Sequence, residues 1–133
     1  MTGGNKKQRH ISIAVRNLEA GERFYEPVLA KLGYNKMIAR ATTIGFGKKY
    51  PDFWINARAN MATPDPDGGA HICLRAENAA AVDAFHAAAL KAGGKSDGPP
   101  GPRPEYTPGY YAAFVVDPDG NRIEAVTFID ATR

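Results

Sequence analysis

Two histidines and one glutamate stand where they could bind a metal ion. His10 and His71 each open a segment in which residues alternate along the chain, and alternation indicates a β-strand with two distinct faces. Glu124 lies in an apolar run between Ile123 and Ala125, where an unpaired carboxylate is costly to bury. Two imidazoles and one carboxylate suit a divalent first-row metal with positions open for water and substrate. We therefore predict a metal site formed by these three side chains.

An internal repeat explains how the two histidines could meet. HISIAVRNLEAGERFYEPVLAKLG, residues 10–33, aligns without a gap on HICLRAENAAAVDAFHAAALKAGG, residues 71–94, with seven identities that include the opening histidine. We interpret this as a duplication. The first positions of the two strands then occupy symmetry-related sites that face the same cleft.

Each copy of the repeat predicts one strand and one helix followed by three short strands. Asn17 and Asn78 are good helix N-caps, whereas Pro27 lies past the first turn and predicts a kink or break at residues 23–26. The further strands are expected at 35–39, 42–46 and 53–57, and then near 95, at 110–116 and at 121–128. The prediction is an α+β fold of two βαβββ modules forming a curved mixed sheet around a metal cleft.

The composition is that of one domain. The chain has 133 residues, 44% hydrophobic and 23% charged, which is typical of a single globular unit. We expect one domain over residues 1–133, with module one at about 9–58, a linker at about 59–69 and module two at about 70–129.

The charge and the single cysteine suggest the surroundings of the protein. Cys73 is the only cysteine and the first nine residues are polar, so we expect a reduced, cytoplasmic protein. No apolar stretch approaches membrane-spanning length. Lys6, Lys7 and Arg9 contribute to the net charge of +3 and are interpreted as a solvated N-terminus, since no nucleic-acid motif accompanies them.

Three segments resemble the metal-binding strands of the vicinal oxygen chelate superfamily, which includes glyoxalases, bleomycin resistance proteins and extradiol dioxygenases. They are HISIAV, HICLRA and VVDPDGNRIEAV, and the resemblance spans about residues 9–128. It implies that His10, His71 and Glu124 bind one divalent ion, such as Fe, Mn, Zn or Ni, to which a small oxygenated substrate chelates. It also implies a homodimer, and a catalytic role for Glu124 as a base in the manner of glyoxalases.

The corner equivalent to Glu124 in module one separates the branches of this superfamily. Aligning residues 53–55 with 123–125 places Trp54 there, and an indole cannot bind a metal. Glyoxalases have a fourth protein ligand at that corner, so Trp54 counts against lactoylglutathione lyase activity. Extradiol dioxygenases and fosfomycin-resistance thiol transferases use two histidines and one glutamate, as this sequence does.

Both of these branches fit incompletely. Ser12 matches the hydroxyl residue that fosfomycin enzymes have two positions after the first histidine, but Phe114 replaces their tyrosine. Dioxygenases need an acid/base histidine in the cleft, and the remaining histidine, His86, falls on the second helix, where we expect it to be structural or exposed.

Residues 96–109 carry further candidates for substrate contact. Their five prolines are expected to exclude regular structure, and long ordered loops are often functional. Arg103, Glu105 and Tyr106, with Tyr110 at the next strand, could clamp an anionic or hydroxylated substrate. A solvated loop with a weak contact between Arg103 and Glu105 is the alternative. The other candidate substrate contacts are Ser12, Trp54, Cys73 and Phe114.

The sequence thus predicts a metal-dependent enzyme that acts on a small oxygenated molecule by lyase, dioxygenase or, less favoured, thiol-transferase chemistry. The alternative is a metal-free binding protein of the bleomycin-resistance type that sequesters an aromatic molecule. We expect neither nucleic acid nor a membrane as a partner.

Overall fold

The strands and helices follow the order that the repeat predicts. The computed structural model describes residues 9–129, so Lys6 and Lys7 of the expected N-terminal charge cluster lie outside the described residues. The elements of module one are β1 (Ile11–Val15), α1 (Leu18–Ala30), β2 (Asn35–Ala39), β3 (Thr43–Gly47) and β4 (Pro51–Ala57). A short 3₁₀ helix (Pro66–Gly68) lies in the linker, and module two comprises β5 (Ile72–Arg75), α2 (Ala79–Lys91), β6 (Lys95–Pro102), β7 (Tyr110–Val116) and β8 (Arg122–Phe128).

Each module forms its own four-stranded mixed sheet. The strand orders are β1-β4-β3-β2 and β5-β8-β7-β6, with β1 parallel to β4, β5 parallel to β8 and the other pairs antiparallel. Ser12 lies opposite Trp54 in the first sheet, and Cys73 lies opposite Glu124 in the second. The register therefore confirms that Trp54 and Glu124 occupy equivalent corners, and the fold is the expected α+β pair of βαβββ modules.

Asparagine begins both helices, as predicted. The Asn17 side chain accepts a hydrogen bond from the backbone N–H of Ala20 at 2.8 Å, and Asn78 does the same for Ala81 at 2.8 Å. Such caps satisfy amide groups that have no partner inside the helix. Among residues 9–129, no helix has both the length and the apolar character needed to cross a membrane.

Of the kink or break expected in the first helix, the break is absent. α1 runs without interruption from Leu18 to Ala30, with Pro27 inside it. A proline removes one backbone hydrogen bond, but the helix buries Phe24, Tyr25, Val28 and Leu29 on both sides of this position. Tertiary packing of the apolar face therefore maintains the helix across the lost bond.

The proline-rich segment also differs from the expectation. Residues 95–102 form strand β6 at the edge of the second sheet, so the strand expected near residue 95 is present but continues into the segment 96–109, which was expected to lack regular structure. The pairing of β6 with β7 shifts register between Ser96 and Gly98 and again between Gly98 and Gly101. An edge strand tolerates proline because one side of it needs no hydrogen-bond donors, and the shifts accommodate the irregular backbone.

A buried carboxylate connects the two modules. Asp117, in the turn between β7 and β8, accepts a hydrogen bond from the hydroxyl of Tyr25 on α1 at 2.5 Å. It also accepts from the backbone N–H groups of Asp119 and Asn121 and from the Asn121 amide. That amide donates in addition to the carbonyl of Ala14 at 2.9 Å. Burial raises the pKa of Asp117, although these four donors oppose the shift.

Replacing Asp117 with alanine is expected to lower the free energy of unfolding by roughly 2–4 kcal/mol, because several buried donors lose their acceptor. Urea denaturation followed by circular dichroism measures this. Asp65→Ala is the matched control, since Asp65 opens the other Asp-Pro-Asp-Gly tetrapeptide in an exposed position and accepts one backbone hydrogen bond. Equal losses in both variants would contradict the role assigned to Asp117.

Candidate functional site

Glu124 lies at the centre of the second sheet and is buried, with 3% of its surface exposed. Its neighbours along β8, Ile123 and Ala125, belong to the hydrophobic core. Since successive side chains of a strand point to opposite faces, Glu124 projects from the face turned away from that core. Cys73 and Phe114 are its partners on the adjacent strands.

Both oxygens of the Glu124 carboxylate have a partner. Oε1 lies 2.9 Å from Nε2 of His71, the residue immediately before β5. Oε2 accepts a hydrogen bond from the hydroxyl of Tyr110 at the start of β7. The expectation that this buried carboxylate requires a partner is confirmed, and it has two.

The surroundings of Glu124 also affect the groups beside it. Burial raises the pKa of the Cys73 thiol to about 11, and the nearby Glu124 carboxylate adds to the effect. Burial and the hydrogen bond to Glu124 hold the pKa of Tyr110 well above its usual range. Both groups therefore remain protonated at neutral pH, and Tyr110 is an uncharged donor to the carboxylate.

His10 lies apart from this pair. It is exposed and directly precedes β1, in the sheet of module one. Among residues 9–129, no three His, Cys, Asp or Glu side chains come close enough together to hold one metal ion. The structure thus brings His71 and Glu124 together but does not add His10 to them within one chain, and the three-residue metal site stays a prediction.

The pair of His71 and Glu124 fits a metal ion. Two ligand atoms about 2.1 Å from one ion lie roughly 3.0–3.4 Å apart for bond angles between ~90° and ~109°. The observed separation of Nε2 and Oε1 is 2.9 Å, so a small outward movement would accommodate the ion. Imidazole nitrogen and carboxylate oxygen are also ligands that divalent first-row metals accept.

A cavity of about 440 Å³ adjoins His71. Three of the predicted substrate contacts, Arg103, Tyr106 and Phe114, line it together with His71. The Arg103 guanidinium lies 5.5 Å from the centre of the Phe114 ring. Its hydrogen bonds go to the carbonyls of Pro99, Gly101 and Pro102, so this arginine also holds the end of β6 in place.

Two charged residues of the cavity wall were missed in the sequence. Asp97 on β6 and Arg122 on β8 line the cavity and form an ion pair. The strand period offered a signal for one of them, because residues 122 and 124 share a face of β8. Asp97 had no such signal, since the proline-rich segment was not expected to form a strand.

Other predicted contacts lie elsewhere. Ser12 lines a separate cavity of about 570 Å³ in module one and accepts a hydrogen bond from the Asn56 amide at 2.8 Å. The Trp54 ring is covered by the Arg40 guanidinium at 5.2 Å. Glu105 is exposed on the turn after β6. His86 is buried on α2, 2.8 Å from the Ser96 hydroxyl, which confirms that it is structural.

Comparison with known proteins places this geometry in a family. The model of the Glyoxalase/Bleomycin resistance protein/Dioxygenase superfamily matches residues 7–125. The chain belongs to this superfamily. The resemblance of its three metal-strand segments is thereby confirmed at the level of the superfamily. No protein with a curated description matches the chain.

Solved structures of the superfamily share the fold. A glyoxalase/bleomycin resistance protein from Albidiferax ferrireducens T118 is 30% identical over 89% of this chain and 96% of its own, with a TM-score of 0.77. The fosfomycin resistance protein FosX from Mesorhizobium loti is 22% identical over 99% of this chain and 97% of its own, with a TM-score of 0.66. A glyoxalase I mutant from Zea mays is 22% identical over 89% of this chain and 44% of its own, with a TM-score of 0.69.

In the metal-free protein, Cys73 is expected to react slowly with iodoacetamide although the residue is exposed. A pKa of about 11 in place of 9.0 leaves roughly a hundredth of the reactive thiolate at pH 8. Glu124→Gln should speed the reaction by removing the negative charge beside the thiol. Mass spectrometry of timed samples measures the rate, with protein unfolded in urea as the control. Equal rates for the folded and unfolded protein would contradict the raised pKa.

Proposed function

We propose that this chain is a metal-dependent enzyme of the glyoxalase/dioxygenase superfamily that acts on a small oxygenated substrate. His10, His71 and Glu124 would hold one divalent ion. The observation that carries the proposal is the buried Glu124 carboxylate, which lies 2.9 Å from His71, a residue that itself lines a cavity of about 440 Å³. Buried ionisable groups beside a cavity of this size are typical of active sites.

We further propose that the site is completed in a homodimer, with His10 supplied by a second copy of the chain. Each module packs its helix against one face of its own sheet, α1 on the first and α2 on the second. The other faces carry the Ser12–Trp54 pair and the Cys73–Glu124 pair. A twofold axis that sets module one of each copy against module two of the other would create two equivalent sites.

The ion would act as a Lewis acid and as a template for two neighbouring substrate oxygens. The chain's own residues would supply the ligands of the ion, the base and the contacts to the substrate. His10, His71 and Glu124 would hold the ion, and Glu124 would be the base in a glyoxalase-type reaction. Phe114 and Tyr106 offer ring faces to the substrate, and Arg103 places a positive charge beside it, which favours an anionic oxygen.

Trp54 and Phe114 indicate which reaction classes to prefer. Trp54 occupies the corner equivalent to Glu124 and cannot act as a fourth ligand, which disfavours lactoylglutathione lyase activity. A different glyoxalase-like lyase reaction or an extradiol-type oxygenation is preferred, and a fosfomycin-type thiol transfer ranks below them because Phe114 replaces the tyrosine of those enzymes.

A metal-free binding protein is the second candidate, and a row of aromatic rings favours it. Tyr106, Tyr110 and Phe128 lie edge to face with ring centres 5.1 and 5.4 Å apart. The Arg75 guanidinium covers the exposed Phe128 at 4.6 Å. Such a surface can stack against a planar aromatic molecule without any metal.

Metal analysis of protein purified without chelators distinguishes the two functions. About one ion per chain is expected for the enzyme, with loss of the metal in His10→Ala, His71→Ala and Glu124→Gln. His86→Gln is the control, because His86 is buried on α2 and its replacement should leave the metal in place. Wild-type protein without stoichiometric metal that nevertheless binds aromatic probes would favour the binding module.

Mixing two inactive variants tests the dimeric site. His10→Ala and His71→Ala chains, given different affinity tags and produced together, form mixed dimers. If each site takes His10 from one copy and His71 from the other, a mixed dimer retains about one intact site, whereas either variant alone has none. Mixed dimers without metal would instead place all three ligands within one chain and would reject the shared site.

A further inference from the structure

We infer that Tyr110 is a positioning residue that restricts Glu124 to binding the metal through one oxygen, Oε1. This rests on the proposed function, since it concerns how the carboxylate meets the ion. A carboxylate can bind a metal through one oxygen or through both. In this protein the choice is determined by what else the two oxygens contact.

The two oxygens of Glu124 face different groups. Oε1 points to His71 Nε2, 2.9 Å away, and is therefore on the side of the other proposed ligand. Oε2 accepts a hydrogen bond from the Tyr110 hydroxyl. With only 3% of Glu124 exposed, water has little access to replace that donor. Binding through both oxygens would require the carboxylate to turn away from Tyr110 and give up this bond.

The sequence of β7 allows the phenol to reach the carboxylate. Tyr110 and Phe114 lie on the same face of the strand, and Phe114 is paired with Glu124. Between them on this face is Ala112, which is fully buried. Its small side chain leaves room for the Tyr110 ring to lie along the sheet toward Glu124.

The Tyr110 ring is also fixed from the other side. Tyr106 and Phe128 contact it edge to face, with centroid distances of 5.1 and 5.4 Å. Aromatic contacts of this kind limit the rotation of the ring. The Tyr110 side chain is therefore held at its ring by packing and at its hydroxyl by the carboxylate that it orients.

An uncharged donor suits this position. A lysine or arginine in place of Tyr110 would place a positive charge beside the proposed cation and oppose its binding. If His10 and His71 were the other ligands, a Glu124 carboxylate that used one oxygen would leave more room on the ion for two neighbouring substrate oxygens than one that used both.

The test compares Tyr110→Phe with Tyr111→Phe in the purified, metal-stripped full-length protein. Tyr111 is the next residue on β7, and its hydroxyl donates to Asp83 at 2.7 Å in an exposed position, away from Glu124. Affinity for Zn²⁺ is measured by competition with a chromogenic chelator. Loss of the Tyr110 hydrogen bond is expected to weaken Zn²⁺ binding by about 10- to 100-fold, whereas Tyr111→Phe should remain within about twofold of wild type.

Infrared difference spectra between the Zn²⁺-loaded and metal-free protein give a second readout. The wild type should show the widely separated carboxylate stretches of one-oxygen binding, and Tyr110→Phe should show a narrower separation. The separation of the carboxylate stretches would not change if Tyr110 served only to stabilise the fold. Should Tyr110→Phe fail to fold, the wild-type spectrum alone tests the inference.

Several outcomes would overturn the inference. The role of Tyr110 is rejected if Tyr110→Phe matches the wild type in affinity and spectrum. It is also rejected if the wild-type spectrum is typical of two-oxygen binding. In both cases the proposed function stands if His71→Ala still abolishes Zn²⁺ binding. Wild-type protein that binds no stoichiometric Zn²⁺, nor Mn²⁺ or Fe²⁺ offered in its place, rejects the proposed function and the inference with it.

Discussion

The need to satisfy one buried carboxylate organises the second module. Glu124 is buried, with 3% of its surface exposed, in a strand that is apolar on both sides of it, and an isolated charge there would be far more costly than a hydrogen-bonded one. His71, just before β5, and Tyr110, at the start of β7, meet that need. His71 also lines a cavity, so the arrangement that stabilises the carboxylate includes a side chain that a ligand could reach.

The two modules share a duplicated backbone framework but carry different side chains at equivalent positions. Both sheets pair their first strand with their last in the same register, which places Ser12 and Trp54 in module one where module two has Cys73 and Glu124. An indole cannot bind a metal ion, whereas the two oxygens of a carboxylate can. The two halves therefore share one backbone plan but differ in what their equivalent corners can do.

The sequence predicted most of the fold because its signals were local. Within residues 9–129, asparagine caps, strand alternation and the repeat located both helices and every strand except β6 to within a few residues. It failed where tertiary packing overrides local preference, as in the unbroken α1 across Pro27 and the proline-containing strand β6. The repeat also established that His10 and His71 are equivalent without establishing that they are near each other, since equivalence in a duplicated fold says nothing about distance.

The prolines of β6 restrict how further chains can associate with this protein. β6 is the outermost strand of its sheet, and Pro99, Pro100 and Pro102 lack the amide hydrogen that a new neighbouring strand would require. Continuous growth of this sheet from molecule to molecule is thereby blocked on that side. A partner that approached this side of the sheet would therefore meet side chains rather than a row of free backbone amides.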